Sequence, residues 1–149
     1  VHATAIAIES RGILIRGPSG SGKSLLALYL LDLYAARGRK AGLVADDRVD
    51  LSPDGDHVLL SPPKAIAGLI ELRGRGILRR PYVEAARLAL IVDLVPELVR
   101  MPEETAFTTS ILGIATPRCP VPAAGIIGIE HQRLLIEAAL DAISLGPGA

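Results

Sequence analysis

Aromatic residues are nearly missing from this chain: they make up 3% of its 149 residues, with no tryptophan and Phe107 as the sole phenylalanine. Such a sequence has little with which to stack nucleic-acid bases, and its core must be aliphatic. Net charge is missing too, because 16 basic residues balance 16 acidic ones. No overall field therefore draws the chain to nucleic acid or to an anionic membrane. With one cysteine, Cys119, there is no internal disulfide and no multi-cysteine metal site, which favours a reducing, cytoplasmic setting. No apolar run approaches the roughly 18 residues of a membrane helix. The first residues also lack the basic-then-apolar pattern of a secretion signal, so a soluble intracellular protein without a membrane partner is expected. What is abundant is aliphatic. The chain is 50% hydrophobic and 21% charged, and its length suits one compact domain over residues 1–149 and is too short for two ordinary ones.

The hydrophobic pattern predicts an α/β fold. Ala3 to Ile8, the Ser10-Arg11-Gly12 break and Ile13-Leu14-Ile15 read as a β-hairpin. From Ser21 onward, leucines and alanines cover most of one helix, which is therefore largely buried, and Arg37-Gly38 stops it. Gly42 to Ala45 is a short buried strand ending at Asp46-Asp47. Pro53 to Asp56 is a hairpin turn, with His57 to Leu60 returning. Ala65 to Leu72, after Pro62-Pro63, fits helix or strand. Arg87 to Leu94 suits a central strand, Pro117 to Pro122 cannot be helix interior, and Ile129 to Ile143 forms a last helix. A phosphate-loop nucleotide-binding core with added β-hairpins accounts for this order.

The strongest local signal is Gly17-Pro18-Ser19-Gly20-Ser21-Gly22-Lys23-Ser24, which fits Gly, four residues, Gly-Lys-Ser in full. Glycines let the backbone curl so that successive amides point inward at phosphate oxygens, and the following helix adds its positive end. Lys23 carries a compact charge to the β and γ phosphates of ATP, and the Ser24 hydroxyl is a Mg²⁺ ligand. The motif follows an apolar strand and opens a helix, which is the context that separates a phosphate loop from a chance glycine turn.

Carboxylates finish such sites. Asp46 and Asp47 follow Ser24 by 22 and 23 residues, at a strand end that faces the loop in a parallel α/β unit. Either can serve the Mg²⁺ shell or take a proton from an attacking hydroxyl; a solvated Asp-Asp turn is the alternative. Glu71 lies among apolar neighbours and is a further candidate, although alternation on a half-exposed strand explains it equally well.

Four stretches, in this order, carry a resemblance: Val1-His2 before the hairpin, Gly17 to Ser24, Val44-Ala45-Asp46-Asp47-Arg48-Val49-Asp50, and Ile70-Glu71-Leu72-Arg73-Gly74-Arg75-Gly76-Ile77. They resemble the catalytic domain of the HPr kinase/phosphorylase family in both order and spacing, with Pro62-Pro63 supplying the proline pair that precedes the last. The resemblance covers about two-thirds of the chain, from His2 to Arg100; full-length members carry a further N-terminal domain, so the stretch given resembles either the short alphaproteobacterial form or the catalytic part of a longer member. It implies a kinase that moves the γ-phosphoryl group of ATP to a serine of HPr, the phosphocarrier of the bacterial sugar phosphotransferase system, and a homo-oligomer, hexameric in the family. By matching position it implies Asp47 as the base, Lys23 and His2 on the phosphates, Ser24 and Glu71 on Mg²⁺ with Asp46 beside them, and Arg100 neutralising the moving group. His2 and Arg100 would otherwise pass as solvated residues.

The chain departs from the family after Arg100. Where members carry a basic loop used chiefly for dephosphorylation, this sequence has Pro122-Ala123-Ala124-Gly125-Ile126-Ile127. The expectation is a kinase with weak or absent phosphorylase activity. Two other readings of the loop remain open from the residues alone: a small-metabolite kinase, against which the shortness of the 53–63 segment counts as a lid, and a nucleotide-binding sensor module without transfer activity.

Overall fold

The computed structural model describes residues 1–144. Its first two strands, β1 (Thr4–Ile8) and β2 (Arg11–Arg16), form the expected antiparallel hairpin. Every residue of β1 is buried, because material covers both faces of the sheet: Ile6 and Ile8 belong to one core cluster, Ala5 and Ala7 to the other. The phosphate-loop segment follows β2, and α1 (Lys23–Ala36) begins at its lysine, two residues later than the sequence suggested. Leucine on nearly every side of α1 lets Leu26, Leu30 and Leu31 bury against the sheet while β6 takes another side. In comparable cores, truncating one such leucine to alanine costs about 2–5 kcal/mol.

β3 (Ala41–Ala45) pairs antiparallel with β1. Strands β2 and β3 therefore run in the same direction, as a parallel unit would require, but β1 lies between them. Their carboxyl ends still emerge on one sheet edge. β4 (Asp50–Asp54) and β5 (His57–Ser61) form the next hairpin, with β4 running two residues into the turn assigned from sequence. The ambiguous segment 65–72 contains both alternatives in miniature: a single 3-10 turn at Lys64–Ile66, then β6 (Leu69–Leu72). β6 pairs with β7 (Gly76–Arg79) in a separate two-stranded ribbon.

β8 (Ala86–Val95) is the expected central strand. It pairs parallel with β2 on one edge, and its first residues meet β5. The proline-rich segment belongs to β10 (Ile114–Pro122), parallel to β8, and β9 (Thr108–Ile111) closes that side antiparallel. Strand was not assigned to either from sequence. Pro120 and Pro122 are tolerated because of where their missing N–H groups would point. The amide of Ala123 donates to Val95 O at 2.9 Å, so alternation turns residues 119 and 121 toward β8 and Pro120 and Pro122 away from it. On that open side β9 has already ended, at the residue paired with Pro117.

The main sheet has the order β3-β1-β2-β8-β10-β9. One face carries α1 and α2 (Ile129–Ser144), with Ile136 and Leu140 of α2 buried against it. The other face packs Leu14, Val44 and Ile91 under Val58 and Leu60 of the β4–β5 hairpin. The core is aliphatic as composition required; Tyr34 is the one aromatic among its described buried residues. No helix among the described residues is long and apolar enough to cross a membrane.

Candidate active site

The β2–α1 junction follows from local chemistry. Ser21 N donates to Pro18 O at 3.1 Å and closes the turn, and Leu26 N to Gly22 O at 3.0 Å starts the helix. Two glycines are required by space. At Gly17 a β-carbon would stand 2.9 Å from Leu94 Cβ, and at Gly22, with φ at +94°, it would meet Ala124 Cβ at 2.8 Å. The Lys23 ammonium donates to the carbonyls of Gly17 (2.8 Å) and Pro18 (3.1 Å), so it is folded across the loop that phosphate would fill.

Asp46, at the end of β3, is buried and accepts three hydrogen bonds. Thr4 Oγ1 (2.8 Å) and Ser24 Oγ (2.7 Å) donate to its Oδ1, and the backbone amide of Glu71 (3.0 Å) donates to Oδ2. One carboxylate thus ties β1, α1 and β6 together at the mouth of the loop. Asp47, the next residue, faces solvent instead. Its backbone turns into the left-handed region, φ +70°, and its side chain is 78% exposed. Its Oδ1 lies 2.7 Å from His2 Nε2. The histidine is held there by backbone on both sides, because Ala3 N donates to Asp47 O and Val49 N to Val1 O. A non-glycine residue in that region is uncommon, and aspartate is among the few that tolerate it.

A cavity of about 520 Å³ lies over these groups. Of the expected residues, His2, Ser19, Gly20, Gly22, Lys23, Ser24, Asp46, Asp47 and Glu71 line it. Gly17, Pro18 and Ser21 sit behind the lining as the frame of the loop, and Arg100 is exposed on the connection after β8, outside the lining. Sequence reasoning missed Thr4 and Arg73, which also line the cavity. Thr4 had a signal, being the one hydroxyl in an otherwise apolar strand.

Mg²⁺ is the metal such a site implies. Among the described residues there is no cluster of three or more His, Cys, Asp or Glu side chains that would cage a metal. Ser24 Oγ and Asp46 Oδ1 nevertheless stand 2.7 Å apart beside the loop. Hard oxygen donors of this kind, few in number and completed by phosphate and water, suit Mg²⁺.

A second ionic cluster sits beneath the loop. Arg16, the residue before Gly17, donates Nε and Nη2 to the two oxygens of Asp93 (2.7 and 2.8 Å), and Arg118 Nε donates to Oδ2 (2.6 Å). Arg118 also reaches Ala106 O at 2.9 Å, joining the 104–107 turn to the sheet. Burial pushes the Asp93 carboxyl up, but the hydrogen bonds from Arg16 and Arg118 outweigh it and hold the group below its ordinary value. A depressed carboxyl contributes stability that is present above its unfolded value, about 3.9, and is lost as pH falls through the lower folded one. Asp93→Asn is therefore expected to lower stability by about 1–3 kcal/mol at pH 7. In urea titrations its deficit should shrink below about pH 4; a deficit independent of pH would rule the ion pairs out as its source.

A glycine-rich loop between a strand and a buried helix, with a carboxylate from a strand end running the same way, defines an α/β protein of the phosphate-loop class. Residues 1–143 match the family described as HPr Serine kinase C-terminal domain, and the chain belongs to that family. Among its relatives is the HPr kinase/phosphorylase of Burkholderia lata, 37% identical over 153 residues, covering 94% of this chain and 44% of the relative. The HPr kinase/phosphorylase of an Exiguobacterium species is 44% identical over 79 residues, 52% of this chain and 24% of that protein. The chain thus spans less than half the length of these curated relatives. The solved structure of the Hpr(Ser) kinase/phosphatase from Coxiella burnetii has the same fold, with a TM-score of 0.72, 30% identity, and coverage of 97% of this chain and 95% of that one.

Proposed function

We propose that this chain is a protein serine kinase domain that transfers the γ-phosphoryl group of ATP to a serine of the phosphocarrier HPr. The observation that carries the reading is the His2–Asp47 pair, set at the open side of the cavity beside the phosphate loop. A proton acceptor that is mostly exposed suits a hydroxyl delivered by a folded protein. A small-metabolite kinase needs an enclosed acceptor pocket instead.

In this reading the loop amides and Lys23 bind the β and γ phosphates, with the ammonium leaving the Gly17 and Pro18 carbonyls to do so. Mg²⁺, when bound, neutralises phosphate charge during transfer. Ser24 and Asp46 would hold it, with Glu71 alongside. Asp47 takes the proton of the seryl hydroxyl as the new O–P bond forms. The bond from the γ phosphorus to the bridging oxygen breaks, and its electron pair leaves with ADP. His2 orients the Asp47 carboxylate and faces the phosphates, and Arg100 approaches the moving group from the loop after β8, which emerges at the same sheet edge as the phosphate loop.

The segment 122–127 bears on the reverse reaction. It abuts the phosphate loop, since Ala124 N donates to Ser21 O at 3.2 Å, yet it contains no lysine or arginine. Attacking inorganic phosphate would find no cation there, and phosphorolysis of phosphoseryl-HPr is expected to be weak or absent. Both directions are tested together. Incubation with ATP, Mg²⁺ and purified HPr should add a single phosphate to HPr by mass spectrometry, and no addition would defeat the kinase reading. Phosphoseryl-HPr with millimolar phosphate should release little pyrophosphate; rapid release would show that the reverse reaction needs no basic residue in this segment.

A further inference from the structure

The phosphate loop is braced from outside the cavity by the segment that joins β10 to α2. Ser21 O accepts the Ala124 amide at 3.2 Å, and Ser21 N donates to Pro18 O at 3.1 Å. These backbone bonds hold the residue, because its hydroxyl is buried and has no partner among the described residues. They also set the next amide. In a trans peptide the C=O and the following N–H share one plane and point in opposite directions, and no peptide bond among the described residues is cis. With the Ser21 carbonyl turned onto Ala124, the Gly22 N–H is turned away from it, and Gly22 lines the cavity. Among the described residues that N–H has no acceptor, which leaves it for a phosphate oxygen.

Ala124 is itself held in place. The Ala123 amide donates to Val95 O at 2.9 Å, and Ile126 N to Ala123 O at 3.1 Å closes the turn. Gln132, in the first turn of α2 and only 3% exposed, completes the frame. Its Nε2 donates to Pro122 O at 2.9 Å and its backbone amide to Gly128 O at 3.1 Å, so it clasps the segment at both ends. The helix that carries it is anchored: Ile136 and Leu140 are buried against the sheet, and Glu137 accepts from Arg37 at the end of α1 at 3.0 Å. An apolar side chain at position 132 would bury equally well; what glutamine adds is a donor for a carbonyl. We infer that Gln132 is a positioning residue for nucleotide binding, which holds the 122–128 segment against the phosphate loop so that the Gly22 amide faces phosphate. The inference rests on the kinase reading above for the transfer, but not for the binding.

MgATP titrations and amide exchange on the whole chain test it. Gln132→Met removes the donor at nearly constant length, and Gln132→Glu keeps the shape while replacing the donor with an acceptor. Both should weaken MgATP binding by about tenfold, the size expected when one charge-assisted hydrogen bond is lost. In both, KM for ATP should rise while KM for HPr stays near wild type. In hydrogen exchange followed by NMR, the Ala124 amide should be protected in the wild type without nucleotide and exchange on the order of tenfold faster in both variants. Leu140→Ala, a truncation of a buried residue on the same helix, should lower the melting temperature and leave MgATP affinity unchanged. Wild-type affinity in both Gln132 variants overturns the inference, and so does an unprotected Ala124 amide in the wild type, a result that needs no variant to fold. An equal loss of affinity in Leu140→Ala also overturns it, by reducing the effect to overall stability. A wild-type chain that binds MgATP but phosphorylates no HPr defeats the kinase reading alone, and the affinity comparison still decides Gln132.

Discussion

Asp47→Asn is expected to reduce HPr phosphorylation on the order of 10²- to 10⁴-fold, the range for loss of a positioned general base, while ATP affinity stays close to wild type. The substitution is nearly isosteric, and asparagine tolerates the left-handed backbone that Asp47 adopts at φ +70°. Its amide oxygen can still meet His2 Nε2, which lies 2.7 Å from the carboxylate. The change thus removes proton affinity and charge and little else. Asp47 touches neither Lys23 nor the loop backbone, so the groups that grip the nucleotide remain in place. Initial rates with saturating MgATP and HPr, beside an ATP titration, separate the two effects. Undiminished transfer would remove Asp47 from the chemistry, and a matching collapse of ATP binding would make it a structural residue.

Its neighbour should behave in the opposite manner. Asp46→Ala is expected to destabilise the fold by about 2–4 kcal/mol, because it strands donors instead of deleting a pair. Thr4 is fully buried, and its hydroxyl has Asp46 as its acceptor; Ser24 Oγ and the Glu71 amide lose theirs as well. For a chain of this length that corresponds to a drop in melting temperature of roughly 5–15 °C. Urea titration or calorimetry would measure it, and a loss under about 0.5 kcal/mol, the usual range for surface changes, would show that water replaces the carboxylate at no cost. Transfer should also fall, since Asp46 stands beside the Ser24 hydroxyl. The two adjacent aspartates thus separate by readout: Asp47 in rate, Asp46 in stability and rate together.

The differing legibility of these residues has physical causes. The phosphate loop could be read in full because its function depends on local backbone geometry, which consecutive residues from Gly17 to Ser24 specify without help from the rest of the chain. The hairpin, both helices and the strand at 86–95 were legible for the same reason, each having a periodicity or a turn of its own. Strand β10 was not. Its prolines argue against a strand until the pairing shows that Pro120 and Pro122 point to an edge with no partner. Strand β9 sits in a polar stretch, and its assignment comes from the neighbour it pairs with.

Among site residues the same division holds. Sequence spacing offered Asp46 and Asp47 as equivalent candidates, and nothing in two adjacent identical residues distinguishes them. A buried triply bonded carboxylate and an exposed one in a left-handed turn become different groups only when β1, α1 and β6 converge on the first and leave the second to His2. The sequence by itself determined that this chain has a loop for phosphate, carboxylates near it and an aliphatic core to hold them, since those are properties of neighbours along the backbone. The tertiary structure alone decided which aspartate is buried and which is exposed, that β1 lies between β2 and β3, and that Arg73 overlooks Gly20. Each of these is a contact between segments dozens of residues apart, and burial and hydrogen-bond satisfaction, which set such contacts, act on the assembled fold and leave little trace in any one segment.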